Sequence, residues 1–163
     1  MKNVIIGLLP LLFLGCLKSK DYSDIPHLEF KGFSKSVMIQ GSNQQDSVIM
    51  TLYFTDGDGD FGSAVSSAEP NIFIKDLRTN QTFREYKAPF VPEAGAANGI
   101  SGTIKIKIFT TCCLYDPNSG IPPCESTDIF PTNVLPLEVY IKDRAGNVSN
   151  TVRTTDVILQ CNK

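Results

Sequence analysis

The chain has 163 residues, 42% of them hydrophobic and 20% charged, with a formal net charge of −2, five cysteines, one histidine and no tryptophan. This apolar content excludes a disordered chain and suits one small globular domain. With 15 basic and 17 acidic side chains there is no electrostatic footprint for nucleic acid, and a single His leaves an enzyme of this composition to work with carboxylates.

Met1-Lys2-Asn3 precede an apolar run, 4–14, interrupted by Gly7 and Pro10 and ending in Leu14-Gly15-Cys16. A bilayer span needs about 20 apolar residues. A charged start followed by a shorter apolar run marks an export signal instead. The run LFLGC at 12–16 resembles the lipobox of bacterial lipoproteins, whose cysteine becomes the first residue of the mature chain. The resemblance implies a signal peptide over 1–15, a lipid on Cys16 and a membrane as partner, with about 0.8 kcal/mol of anchoring per buried methylene. Leu17 stands where an Asp would imply retention at the inner membrane, so the outer membrane is the expected destination. The polar stretch 16–27 reads as a tether, and 28–163 as the folded domain.

From there the hydrophobic pattern has period two. Val48, Met50, Leu52 and Phe54 share one face of a strand over 46–55. Ile104, Ile106 and Ile108 share a face in 103–112, and Leu137, Val139 and Ile141 in 136–142. Weaker strands are expected over 28–39, 71–77, 82–87 and 150–159, joined by runs rich in Gly, Pro, Asn and Ser. Seven short strands predict an all-β chain, an immunoglobulin- or fibronectin III-like β-sandwich.

Thr55-Asp56-Gly57-Asp58-Gly59-Asp60-Phe61-Gly62 follows the second strand. Acidic residues at alternate positions, with glycines between, let a tight loop turn several hard oxygens toward one cation. An EF-hand is not the expectation: its glycine would stand one place earlier, and Ser67 occupies the position of its closing Glu. In a sandwich the loop that begins Asp143-Arg144-Ala145-Gly146-Asn147 lies at the same end. Asp56, Asp58, Asp60, Asp143 and Asn147, with Glu93 nearby, are therefore the candidate ligands of a divalent ion, calcium before magnesium. Solvated turns made by Asx hydrogen bonds are the plainer alternative.

With Cys16 assigned to lipid, Cys112, Cys113, Cys124 and Cys161 remain in an exported chain, which predicts two disulfides at the opposite end. Adjacent Cys112 and Cys113 are poorly placed to bond each other. Two connectivities stay open: 112–124 with 113–161, or 113–124 with 112–161. A four-cysteine zinc site is the rival, but an adjacent pair lacks the usual C-x2-C spacer.

The lipobox, a strand entering DGDGDFG and the closing IKDRAGNVSNTV together resemble small immunoglobulin-like lipoproteins of Bacteroidota. That resemblance implies fold and location; the anchor, the sandwich and the disulfide-braced loops lead to the expectation of a noncatalytic cell-envelope domain that binds a protein or serves as a spacer. The loop 114–131, with Tyr115 and Phe130, is the expected contact surface; the absence of Trp makes a glycan the lesser partner. A hydrolase using the Asp cluster and an inhibitor using the disulfide-closed loop are the alternatives.

Overall fold

The computed structural model describes residues 22–92 and 99–162. The described chain is all β, with a single 3-10 turn at Pro117–Ser119. No helix among these residues is long and apolar enough to cross a membrane. Ten strands form three sheets: β1 (His27–Phe33), β2 (Val37–Ile39), β3 (Ser47–Asp56), β4 (Ile72–Asp76), β5 (Gln81–Tyr86), β6 (Ile100–Phe109), β7 (Thr132–Leu135), β8 (Leu137–Ile141), β9 (Val152–Arg153) and β10 (Val157–Gln160). Their orders are β1-β3-β6, β5-β4-β8-β9 and β2-β10-β7.

Ten strands replace the expected seven because two of those expected break and one more, β7, forms where an irregular loop was expected. The segment read as 28–39 leaves β3 after Phe33, and its second half pairs in parallel with β10. Pro136 separates β7 from β8: it has no N–H to offer a ladder, while its carbonyl accepts from Leu77 N. Residues 154–156 separate β9 from β10, with Thr154 N turned onto Leu137 O. The strand expected over 103–112 is β6, three residues earlier. It stops at Phe109 because β3, its partner, begins at Ser47, and Thr110 N makes the last bond, to Asp46 O. At its start Gly102 lies opposite Phe54, whose ring would stand 2.9 Å from an added Cβ. The aromatic ring fills the place of the missing side chain, so the glycine continues a strand.

The period-two reading of β3, β6 and β8 places side chains as expected. Val48, Met50, Leu52 and Phe54 from β3 meet Ile106 and Ile108 from β6, Ile72 and Ile74 from β4, and Leu137, Val139 and Ile141 from β8 in one core. Each such side chain, wholly buried, contributes about 1.5–3 kcal/mol. The inward rows do not stop at the last apolar residue. Asp56 follows Phe54 on the inward face of β3, and Asp143 follows Ile141 two positions beyond, so both carboxylates point into the end of the core and are buried.

Candidate metal centre

The loop after β3 is shaped by its glycines and by one phenylalanine. Gly59 and Gly62 have φ of 72° and 104°, in the left-handed region that favours glycine. Phe61 tucks into the core against Phe54, with ring centroids 4.5 Å apart, and its amide donates to Asp56 Oδ2 at 2.8 Å. Burial of that ring draws the loop back over the end of β3. The acidic side chains therefore turn inward instead of fanning into water.

The second loop is closed by its own ends. Asp143 N donates to Asn147 O at 3.1 Å, while Asn147 N and Nδ2 donate to Asp143 Oδ1 and Oδ2 at 2.7 and 2.9 Å. The two loops are joined where Ala145 N donates to Asp60 Oδ2 at 2.8 Å. Arg144 reaches over the first loop, donating to the carbonyls of Phe61, Gly62 and Val91, and stacks over Phe90. The chain's approach to β1 joins them as well: Gly57 N donates to Ser23 O at 2.8 Å, and Asn147 Nδ2 donates to Asp24 O. A Cβ on Gly57 would stand 2.4 Å from Tyr22 O, so this close approach requires glycine.

Asp56, Asp58, Asp60 and Asp143 each bring one carboxylate oxygen to within 4.8 Å of the others. Calcium–oxygen distances are about 2.3–2.6 Å, so two ligands of one ion are at most about 5 Å apart. Asp56 is 0% exposed. Its Oδ1, like Oδ1 of Asp60, is buried without a hydrogen-bond partner among the described residues. Burial, followed by the charges of Asp58, Asp60 and Asp143, pushes the Asp56 carboxyl up to about 6 against the pull of the Phe61 amide. Burial and the charges of Asp143 and Asp58 also raise Asp60, opposed by the Ala145 amide and Arg144. Converging carboxylates of this kind are the environment that a bound cation relieves.

Asn147 orients Asp143 through both of its oxygens, and in this structure it acts as a brace. Glu93 and Cys16 lie outside the described residues. At the other end the bridges are Cys112–Cys124 and Cys113–Cys161, with Cα separations of 4.5 and 6.0 Å. Tyr115 tilts against Phe130 at 6.0 Å, but its hydroxyl donates to Glu125 O and pins the loop to itself, whereas Phe130 is exposed. Strand order already puts the start of the first strand, and so the tether, at the acidic end; the reach of Arg144 and the specific bonds to Ser23 O and Asp24 O did not emerge from sequence. The signal for the burial of the acids was available: Asp56 and Asp143 continue the parity of Phe54 and Ile141.

Comparison with protein-family models finds no match, and neither curated proteins nor solved structures show a similar chain.

Proposed function

We propose that this chain is a noncatalytic, lipid-anchored module of the bacterial cell envelope, an immunoglobulin-like sandwich that binds calcium where its tether enters the fold. The observation that carries the cation is the wholly buried Asp56, whose Oδ1 has no hydrogen-bond partner among the described residues and which stands beside three further carboxylates. A buried acceptor without a donor costs about 1–3 kcal/mol, and more when charged. A divalent ion held among these carboxylates supplies the partner that the buried oxygens lack. Calcium is favoured over magnesium because the site offers several protein oxygens, whereas magnesium keeps most of its waters.

Two disulfides suit an oxidising compartment. Ser23 and Asp24 meet the acidic loops, so an anchor at Cys16 leaves the ion beside the membrane and the disulfide-closed loop farthest from it. In this reading the ion fixes the tether's exit, and the module holds out a braced surface to an envelope protein or acts as a spacer. An elevated carboxyl pKa also suits a general acid. Asp56, however, is wholly covered and out of reach of a substrate.

Thermal unfolding of the full chain in calcium, in magnesium and in chelator tests the cation. The melting temperature rises with calcium, and Asp56→Asn removes the rise. Equal melting in calcium and chelator overturns the site. Cys16→Ser tests the anchor separately: the protein moves from the membrane to the soluble fraction and loses incorporation of labelled fatty acid, and unchanged fractionation with retained label overturns it.

A further inference from the structure

The two open sides of the sandwich are closed to different degrees. On one side Asn150 stitches the layers together, its amide donating to Leu28 O and accepting from Leu28 N at 2.9 and 2.8 Å. On the other side β6 and β5 are the edges of their sheets, bridged by the Tyr86 hydroxyl, which donates to Lys107 O at 3.1 Å. Between these edges opens a groove of about 530 Å³, lined by Phe54, Ile72, Tyr86, Ala88, Ile104 and Ile106 among others.

The register of β6 gives its free edge a direction. Thr110 N bonds Asp46 O, and the ladder continues from Ser47↔Phe109 to Asp56↔Ile100. Antiparallel pairing alternates. The backbone groups of Ile104, Ile106 and Ile108 thus point to β3, and those of Thr103, Lys105 and Lys107 point outward. The Tyr86 bond to Lys107 O agrees with this phase. Among the described residues no strand pairs with that row. Lys105 and Lys107 are exposed beside it, and Lys87, whose ammonium donates to Ser67 O, stands on the same rim.

We infer that the β6 edge is a docking site for an extended acidic segment of another protein, which adds as a further strand. Its backbone pairs with Thr103, Lys105 and Lys107, alternate apolar side chains enter the groove, and carboxylates on the other face meet the lysines. Three features select this occupant. A row of alternating donors and acceptors matches a peptide backbone and has no counterpart in an acyl chain. The lysines favour an anionic partner over a neutral or cationic one. A second copy of β6 would set lysine against lysine, the device by which natural edges avoid pairing with themselves. The proposal rests on the protein-binding form of the reading above and is independent of the calcium site.

The test is fluorescence anisotropy of the full chain in detergent with a labelled peptide of about eight residues, a usual strand length, alternating Glu and Val. Binding is expected. Methylating the peptide's alternate amides, which removes the donors facing β6, weakens it at least tenfold. Lys105→Glu with Lys107→Glu, whose fold is checked by circular dichroism, weakens it tenfold and creates binding to the Lys/Val counterpart. Tyr86→Phe, which frees Lys107 O, tightens it a few-fold. No binding at millimolar peptide, undiminished binding of the methylated peptide, or uptake of dodecanoate in place of the peptide each overturns the proposal. So does a β6-mediated homodimer in sedimentation. An envelope partner captured through the 114–131 loop with β6 left exposed overturns the β6 site while leaving the binding-module reading intact.

Discussion

At both ends of the sandwich an aspartate ends the inward row of a strand, and the two ends surround it differently. Asp76 follows Ile72 and Ile74 on β4. Arg78, two residues on, grips both its oxygens, with Nε at 3.0 and 3.1 Å and an Nη at 2.6 Å, then reaches Cys112 O and Asn133 Oδ1. The neighbouring Gln40 is as fully used: it accepts from Cys113 N and donates to the carbonyls of Glu125 and Cys161. Asp56 and Asp143 instead face each other and two more carboxylates, with two oxygens left over. A buried charge needs a partner. The disulfide end carries its partner in the chain, whereas at the acidic end the function proposed above assigns that role to a cation from solution.

The sharpest way to break this contrast is Arg78→Ala, which strands Asp76 in a site where it is 5% exposed. Urea unfolding is expected to show a loss of about 3–5 kcal/mol, the same in calcium and in chelator. Replacing Cys113 and Cys161 by serine removes the longer covalent tie, a sequence separation of 48, and costs roughly 2–4 kcal/mol, again without regard to calcium.

The acidic end is expected to respond in the opposite sense. Asp56→Asn keeps an acceptor for the Phe61 amide and removes a charge from the cluster, so in chelator the variant melts above the unaltered protein. Calcium reverses the order, because an ion at 100 times its dissociation constant adds about 2.7 kcal/mol to the unaltered protein alone. A variant that melts lower in chelator would show that Asp56 already has its partner within the chain.

A further difference between the two ends is in pH dependence. Folding raises the Asp56 carboxyl from 3.8 to about 6, so between these values the folded chain holds more of a proton than the unfolded one. By linkage, this group's stabilising contribution in chelator is full below about 4 and is lost as pH rises through 6. Subtracting the Asp56→Asn curve isolates it from the other carboxylates. In calcium, proton and ion compete for the same oxygens, and the calcium increment grows through the same window. Parallel curves for the two proteins in chelator would remove the coupling.

Much of this was legible in the residues. Alternation marked β3, β6 and β8 and the faces they bury, because the period of a strand is a local property. The DGDGDFG loop and Asp143 could be placed at one end, and the cysteines at the other, from strand order. The breaks were harder to read. Thr132–Leu135 lies between Pro131 and Pro136 and resembles an irregular loop, yet a strand bounded by prolines needs no N–H from either. Gly102 resembles a turn until Phe54 is seen to cover it. Tyr115 resembles a contact residue until its hydroxyl is found on Glu125 O.

The sequence by itself determined the class of fold, the parity of each strong strand and the carboxylates and cysteines available at each end. Local periodicity and turn chemistry suffice for these. Only the tertiary structure decided that Cys112 takes Cys124 and Cys113 takes Cys161, that Arg78 is spent on Asp76, and, among the described residues, that Oδ1 of both Asp56 and Asp60 is left unpartnered and that β6 ends its sheet. Those outcomes depend on how segments far apart in the chain approach one another, and residue spacing does not encode those distances.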